Sequence, residues 1–268
     1  MGTDLNTDLK AAGGRPAPGA SIAAYGPLST LFYDADKPCA TGEELAWYRT
    51  RLPRDGGAIL EAMAGSGRVL VPLTEEGYRV HGVDLSEAML ASCAARLRSA
   101  GHEARLFRQN IAALNVPFRY GAAFIAAGSL QLMTGQDAVV DALGRIRAHL
   151  VGPAVLLLDL FVPDAALHPP GAPVVEFRSV ALPDGSQIVH RSETTCDPER
   201  RRVYVASRYE RRASAQIVAR EDEFLATTWY EEEEILALLR RVGYSDMRIE
   251  PPAWPRGEGK YFAVSARA

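Results

Sequence analysis

The sequence has few cysteines, no histidine pairs and no metal-binding spacing. Its three cysteines, Cys39, Cys93 and Cys196, are odd in number and far apart. This pattern is typical neither of a disulfide framework nor of a zinc site. The five histidines also stand singly along the chain, so we expect no bound metal. The simplest interpretation is a protein of the reducing cytoplasm.

The chain also lacks long apolar runs and a strong charge of either sign. The longest apolar run, residues 154–162, contains Asp159 and is too short to span a bilayer. Residues 1–21 have no apolar segment of the kind a signal peptide needs, and we expect residues 1–20 to form a disordered tail. A formal net charge of −3 disfavours nucleic-acid binding, which needs clustered Lys and Arg. We therefore expect neither a membrane nor a nucleic acid as partner.

Two segments about twenty residues apart carry the most information. Residues 59–61 form an apolar run that ends at Glu61, after which the chain turns through small residues that include Gly65 and Gly67. A second apolar run, residues 80–83, ends at Asp84. Small residues let a ligand approach the backbone at a helix start, and a carboxylate after the next strand can accept hydrogen bonds from both ribose hydroxyls. The pair predicts a nucleotide-type cofactor site. The alternatives are an ordinary strand-to-helix turn and, for Asp84, a helix N-cap.

Strand and helix signals alternate through the first part of the chain. Strands are predicted at residues 58–61, 79–84, 103–107, 122–127 and 154–160, and helices at residues 45–51, 66–76, 86–100 and 137–150. Pro72 lies inside the second of these helices, which we expect to be kinked or short. Gly152 and Pro153 are expected to break the chain before the fifth strand. The alternation predicts a parallel sheet covered on both faces.

The pattern changes after Pro163. Residues 174–180, 187–195, 203–211 and 216–227 have alternating polar and apolar side chains with turn residues between them, which predicts an antiparallel sheet. A helix at residues 231–242 and strands at 246–250 and 261–266 follow. We expect a tail at residues 1–20, a lid segment at 21–57, a core at 58–163 and 229–268, and an inserted β subdomain at 164–228.

Four motifs in this order resemble those of the class I S-adenosylmethionine-dependent methyltransferases. Residues 60–68 are similar to the glycine-rich first motif, and residues 83–90 to the second. Residues 109–111 stand where the family has its adenine-contacting acid or amide, and residues 229–244 resemble its final helix and turn. The resemblance covers the chain from about Tyr25 onward. It implies an α/β, Rossmann-like fold with a mostly parallel seven-stranded sheet, helices on both faces and the inserted antiparallel sheet.

One position departs from the family pattern. The first motif usually has three glycines, and Met63 replaces the first of them. We expect Met63 to pack beside the cofactor and only the turn from Gly65 to Gly67 to make close backbone contact. A third glycine, which a nicotinamide dinucleotide site requires, is missing because Leu70 stands in its place.

The resemblance implies S-adenosylmethionine as cofactor, S-adenosylhomocysteine as its product, and no metal. Asp84 would bind the ribose hydroxyls, Asn110 the adenine amino group, and Ala126 would lie near the sulfonium. Leu85 and Met89 would form the adenine pocket, although a core role for Met89 and a turn role for Asn110 remain alternatives. The predicted cofactor-binding residues are Glu61, Ala62, Met63, Ala64, Gly65, Gly67, Asp84, Leu85, Met89, Asn110, Ile111 and Ala126. Arg68 is expected to form a structural ion pair, with the cofactor carboxylate as the alternative.

Four residues are candidates for contact with the methyl acceptor. Tyr25 and Tyr33 belong to a segment that the family often folds over the cofactor as a lid; a surface helix packed on the core is the alternative. Gln131 follows the fourth strand and could face the substrate or be a polar loop residue. His168 follows the fifth strand, at the edge where such sheets hold their sites, and is a candidate base.

The predicted inserted sheet resembles that of small-molecule methyltransferases, such as amino-sugar and natural-product N-methyltransferases. We therefore expect methyl transfer to an amine of a natural product or its precursor, in antibiotic tailoring. The inserted sheet would roof the acceptor pocket and could form a homo-oligomer contact. The alternatives are O-methylation of a small hydroxyl or carboxyl substrate and, as a weaker one, a nucleotide-binding oxidoreductase.

Overall fold

A computed structural model describes residues 25–55, 57–164, 173–214, 216–253 and 259–268. The predicted tail at residues 1–20 and His168 lie outside these ranges. Helices are α1 (Pro27–Asp36), α2 (Gly42–Arg49), α3 (Leu70–Glu75), α4 (Glu87–Ser99), α5 (Gln136–Ala148) and α6 (Glu232–Arg241). Strands are β1 (Ile59–Ala62), β2 (Val80–Asp84), β3 (Leu106–Arg108), β4 (Tyr120–Ile125), β5 (Leu150–Val162), β6 (Val174–Ala181), β7 (Gln187–Asp197), β8 (Arg202–Ala213), β9 (Gln216–Thr228), β10 (Ser245–Glu250) and β11 (Lys260–Arg267). Two short 3₁₀ helices span Ile111–Ala113 and Ser129–Leu132.

Seven strands form one sheet in the order β10-β11-β5-β4-β1-β2-β3. The strands from β3 to β5 run parallel, and β11 is antiparallel to both of its neighbours. The strand order reverses between β1 and β4, which is where open sheets of this kind bind ligands at the carboxyl ends of their strands. The predicted mostly parallel sheet is confirmed.

Alternate residues of each central strand enter two separate cores. Ile59 and Phe124 pack with Tyr48 of α2 and Leu70 of α3 on one face of the sheet. Leu60 and its neighbours pack under α5 and α6 on the other face. The period of two in a strand makes both faces apolar, as a sheet covered on both sides requires.

The remaining four strands form a separate antiparallel sheet in the order β6-β7-β8-β9. Its strands lie close to the predicted ranges, and turn residues join them in sequence. One face contacts α1, where Ile188 and Tyr209 pack against Leu28 and Phe32. The insertion therefore lies against the lid segment.

Two local predictions were wrong. α3 begins at Leu70 rather than at residue 66, because residues 65 and 67 have positive φ and form a turn instead. Pro72 consequently falls in the first turn of a short helix, where its missing N–H costs no hydrogen bond. Gly152 and Pro153 do not break the chain before β5. A shift in the pairing of β4 with β5 absorbs them, because a bulge tolerates residues that cannot continue the hydrogen-bond ladder.

Candidate cofactor and acceptor site

The turn after β1 contains three residues with left-handed backbone conformation. Met63, Gly65 and Gly67 have φ values of 61°, 56° and 79°. Glycine adopts this region freely, whereas Met63 does so at a cost of about 1–2 kcal/mol. Met63 thus has the backbone shape that the missing glycine of the motif would favour. Its side chain lines the cavity above the turn, where the sequence analysis expects the cofactor.

This turn forms the floor of a cavity at the carboxyl ends of β1, β2 and β4. The cavity has a volume of about 940 Å³ with its open mouth included. Its walls come from the turn, the β2–α4 junction, the two 3₁₀ helices and the start of α1. The lining residues include Tyr25, Tyr33, Glu61, Met63, Ala64, Gly65, Asp84, Leu85, Met89, Asn110, Ile111 and Ala126. Twelve of the sixteen predicted site residues therefore meet in one place.

Asp84 is held rigidly at the end of β2. Its Oδ2 accepts a hydrogen bond from the Gly65 amide at 2.8 Å, and its Oδ1 accepts one from the Ser86 amide at 2.8 Å. Burial raises the pKa of Asp84, while these backbone bonds oppose the rise by stabilising the charged form. Each oxygen of a carboxylate can accept a further bond. The arrangement therefore suits a vicinal diol that donates one hydroxyl to each oxygen.

Glu61 is a second carboxylate in the cavity wall, and its Oε2 lacks a hydrogen-bond partner among the described residues. Burial raises its pKa well above the ordinary value, and Arg68 opposes that rise. Arg68 itself donates two hydrogen bonds to the Glu44 carboxylate, at 2.7 and 2.6 Å. The expected structural ion pair of Arg68 is present. A buried carboxylate oxygen without a partner fits the ammonium group of an amino-acid moiety, as in S-adenosylmethionine.

Asn110 and Met89 both line the cavity, and each also has a structural role. Asn110 lines the cavity, and its Oδ1 accepts the Ala112 amide at 2.9 Å, which caps the first 3₁₀ helix. Met89 lies on the buried stripe of α4 and also forms part of the cavity wall. Met89, Leu85 and Ile111 make an apolar wall that suits a planar base, and Asn110 places a polar side chain beside it.

Tyr25 and Tyr33, from the segment predicted to form a lid, both line the cavity. The rings of Tyr25 and Tyr33 meet edge to face with centroids 6.1 Å apart. Burial raises the pKa of both hydroxyl groups, so they stay protonated at neutral pH. Ser86 donates a hydrogen bond to the Tyr25 carbonyl at 2.6 Å. Ser86, two residues after Asp84, thus ties the predicted lid segment to the predicted ribose site.

Of the predicted site residues that the structure describes, three do not face the cavity. Ala62 is fully buried in the core beneath α5 and α6. Gly67 abuts Cys93 of α4, where an added Cβ would lie 2.5 Å from Sγ; its small size serves helix packing rather than ligand approach. Gln131 is fully buried, and its amide bonds the backbone of Phe161 and Thr228, so it joins β5 to β9 instead of facing the acceptor.

The sequence interpretation missed residues that flank the motifs. Ala127, with φ 59°, extends the turn after β4 beyond Ala126 into the cavity wall. Ser129 and Leu132 of the second 3₁₀ helix and Met133 after it also line the cavity, because that helix packs against β9. The missed lining residues are Val69, Gln109, Ala127, Ser129, Leu132 and Met133; Arg68, named in the sequence analysis as an alternative partner of the cofactor carboxylate, also lines the cavity. Gln109 belongs to the third motif, residues 109–111, so the sequence carries a signal for its position.

Comparison with known proteins gives one family match and several similar structures. Residues 59–151 match the family described as a methyltransferase domain. A provisionally named methyltransferase of Geobacillus sp. (strain WCH70) is 32% identical over 102 residues, which cover 38% of this chain and 41% of that protein. The chain thus spans less than half the length of the curated relatives it matches.

Two solved structures share nearly the whole fold at low identity. The sugar N-methyltransferase KedS8 from Streptoalloteichus sp. ATCC 53650 has a TM-score of 0.70 and 19% identity, covering 95% of this chain and 99% of its own. CalS10 of Micromonospora echinaspora, described as an amino pentose methyltransferase with S-adenosylmethionine bound, has a TM-score of 0.64 and 19% identity, covering 91% and 98%. In the part of the chain that the structure describes, no helix is long and apolar enough to cross a membrane.

Proposed function

We propose that this chain methylates an amine nitrogen of a small molecule. The premise is that it has the fold and domain of a class I S-adenosylmethionine-dependent methyltransferase. The sequence-based recognition of that family is confirmed by the domain match and by the shared fold. The observation that carries the proposal is one cavity where Asp84, Glu61 and the Gly65 turn meet at the reversal of strand order. The alternative of a nicotinamide-dependent oxidoreductase is not needed to explain this geometry.

The residues present suit S-adenosylmethionine at both of its polar ends. Asp84 would accept from the ribose hydroxyls, and the free oxygen of Glu61 would accept from the ammonium group. The backbone at Ala126 and Ala127 would lie beside the sulfonium. When bound, the cofactor supplies an electrophilic methyl group. The chain would hold the acceptor lone pair in line with that methyl, and Tyr25 and Tyr33, which line the cavity, would exclude water.

A small amine is the acceptor class that we favour. Tyr25 and Tyr33 of the predicted lid segment line the cavity, and the antiparallel sheet contacts α1 of the same segment. Two structures with the same fold are described as a sugar N-methyltransferase and as an amino pentose methyltransferase. By this fold-level analogy we propose a role in tailoring a natural product, with a hydroxyl or carboxyl acceptor as the alternative.

Calorimetry with S-adenosylmethionine and with NAD tests the cofactor. We expect binding of the former only, and Asp84→Ala should weaken it about 30-fold, equal to about 2 kcal/mol, because the diol loses a charged acceptor. Asp222→Ala removes an exposed carboxylate outside the cavity and should leave the affinity unchanged. Binding of NAD alone, or equal affinities for wild type and Asp84→Ala, would refute the assignment.

A matched screen then separates the acceptor classes. Amines and their hydroxyl counterparts of the same carbon skeleton are incubated with the protein and isotopically labelled S-adenosylmethionine. We expect label to pass to amines, and transfer confined to hydroxyl or carboxyl compounds would replace the N-methylation proposal by the alternative.

A further inference from the structure

A second cavity, the arginine cavity, lies where the inserted sheet joins α6. It has a volume of about 1040 Å³ with its open mouth included. Its walls come from the start of α5, the turn between β7 and β8, the junction of β9 with α6, and α6 itself. Among the described residues it shares no lining side chain with the cavity of the proposed cofactor site, so it is a separate space.

The walls of the arginine cavity are strongly basic. Four arginines line it, and Glu234 is the one carboxylate among its described lining residues. The four are Arg200, Arg201, Arg202 and Arg241. They come from three places, the β7–β8 turn, β8 and the last turn of α6. Positive charge gathered in a concave space attracts anions, even though the chain as a whole has a formal net charge of −3.

Two of these arginines have a carboxylate partner in the described chain and two have none. Arg200 and Arg201 each form an ion pair with an acidic neighbour. Arg202 donates to the Thr134 carbonyl, and Arg241 makes no hydrogen bond or ion pair with a described residue. A guanidinium group has five N–H donors, so most of the donors of Arg202 and Arg241 are available to a ligand. Two positive charges in the cavity therefore await a counter-charge.

Two aromatic side chains complete the arginine cavity. Trp229 and Tyr230 line it beside Arg202. Burial raises the pKa of Tyr230, and Arg202 opposes that rise, so the hydroxyl is protonated at neutral pH and lies close to the guanidinium. It makes no hydrogen bond with a described residue and can donate one to an anion. The cavity thus offers charged donors, a neutral donor and ring surface.

We infer that the arginine cavity binds the phosphate group of a small organic phosphate ester. Such an ester carries close to two negative charges at neutral pH, which matches the two arginines without a carboxylate partner. Its oxygens point outward in three dimensions and can accept from arginines on different walls, whereas a planar carboxylate is satisfied by one guanidinium fork. The organic part would lie against Trp229 and Tyr230. This site goes beyond the proposed function and does not depend on it.

The arginine cavity lies back to back with the cavity of the proposed cofactor site. Met133 lines the cofactor cavity, and Thr134, the next residue, lines the arginine cavity. Consecutive Cα atoms are about 3.8 Å apart, so a single stretch of backbone borders both spaces. Arg202 holds this stretch through its bond to the Thr134 carbonyl. A phosphate bound to Arg202 would therefore touch the outer side of a wall whose inner side borders the cofactor cavity.

The test uses phenyl phosphate, with phenol as the neutral probe of the same ring and inorganic phosphate as the anion without a ring. Each is titrated by NMR into the full chain at about pH 8, where the phosphates are dianions, with and without saturating S-adenosylhomocysteine. We expect phenyl phosphate to bind equally in both states and about fivefold more tightly than inorganic phosphate, because its ring contacts the aromatic wall. Phenol should bind far more weakly, and added salt should weaken phenyl phosphate binding.

Arg241→Gln removes a cavity charge without breaking a bond of the described chain, so the variant should unfold at the temperature of wild type. We expect it to weaken phenyl phosphate binding about fivefold, and Arg202→Gln to weaken it about tenfold because that arginine is half-buried. Arg98→Gln is the matched control. Like Arg241, Arg98 is an exposed arginine in the last turn of a helix, but it belongs to α4 and lies outside the cavity. This variant should bind phenyl phosphate as wild type does.

The outcomes separate this inference from the proposed function. If S-adenosylhomocysteine fails to bind, the proposed function fails, and the titrations without it still decide the inference. Displacement of phenyl phosphate by S-adenosylhomocysteine would place the phosphate in the cofactor cavity and overturn the inference. Absence of binding to wild type, or equal affinities of Arg241→Gln and Arg98→Gln, would overturn it as well. An affinity for phenyl phosphate no higher than for inorganic phosphate would overturn the assignment to an ester.

Discussion

At the scale of single residues, the turn after β1 shows two different reasons for a small or left-handed residue. Gly65 lies beside the cavity, where a ligand can approach its backbone, whereas Gly67 is small because Cys93 and Val71 pack against it. Met63 has a glycine-like conformation but contributes a side chain to the cavity wall. The motif therefore combines one residue that borders the cavity, one packing contact and one strained wall residue.

Gly67→Ala should destabilise the protein without touching the cavity. The added methyl would lie 2.5 Å from Cys93 Sγ and 2.9 Å from Val71 Cγ2, at a φ of 79°. We expect the free energy of unfolding to fall by about 2–4 kcal/mol, from backbone strain and overpacking together, as measured by urea denaturation.

Gly77→Ala provides the matched control for that substitution. Gly77 has a φ of 89°, but nothing lies within 4 Å of its added methyl, so only the backbone cost of about 1 kcal/mol should appear. Equal losses for the two variants would contradict a packing role for Gly67.

At the scale of elements, α1 lacks a cap of its own and takes one from the inserted sheet. Gly26 is its N-cap residue and makes no side-chain capping bond. The Glu221 carboxylate instead accepts the amides of Leu28 and Ser29 at 2.9 and 3.0 Å. A negative charge at a helix N-terminus is stabilising, so β9 holds the lid helix in place from outside.

Glu221→Gln should loosen the lid without unfolding the chain. We expect the Leu28 and Ser29 amides to exchange with solvent about fivefold faster, which corresponds to about 1 kcal/mol for the lost charged cap. S-adenosylhomocysteine should bind several-fold more weakly because Tyr25, next to this helix, covers its predicted site. Asp222→Asn serves as control, and unchanged exchange in Glu221→Gln would show that α1 is held by its other contacts alone.

At the scale of the whole molecule, buried polar pairs join α2 to the sheet. Glu44 is completely buried and binds Arg68 of the glycine turn through both guanidinium nitrogens. On the same helix, the Tyr48 hydroxyl donates to Asp159 of β5 at 2.5 Å. These contacts fix α2 against the strands that form the cavity floor. The cost of removing one partner is large because the other is left charged without water.

Arg68→Met should therefore reduce the free energy of unfolding by about 3–5 kcal/mol in urea denaturation. Replacing both partners, Arg68→Met with Glu44→Leu, should recover most of that loss because neither charge of this pair remains. Arg49→Met breaks the exposed pair of Arg49 with Glu76 and should change stability little. A double variant as unstable as Arg68→Met would show that packing around Arg68, not the buried charge, dominates.

Much of the fold was predictable because its signals are local. The strands of the inserted sheet and α6 lie within a few residues of their predicted ranges, since alternation and helical periodicity report burial directly. The start of α3 and the path through Gly152 were wrong because local breaker signals compete with tertiary pairing. Gln131 was misplaced because its partners, Phe161 and Thr228, lie 30 and 97 residues away.

The sequence by itself determined the parallel core, the antiparallel insertion and the pairing of Asp84 with a glycine turn, because backbone freedom, periodicity and spacing are properties of neighbouring residues. Only the tertiary structure decided that Gly67 serves packing, that Arg68 binds Glu44, and that Glu221 caps a helix 192 residues away. Those outcomes depend on which elements pack together, and no short segment contains that information.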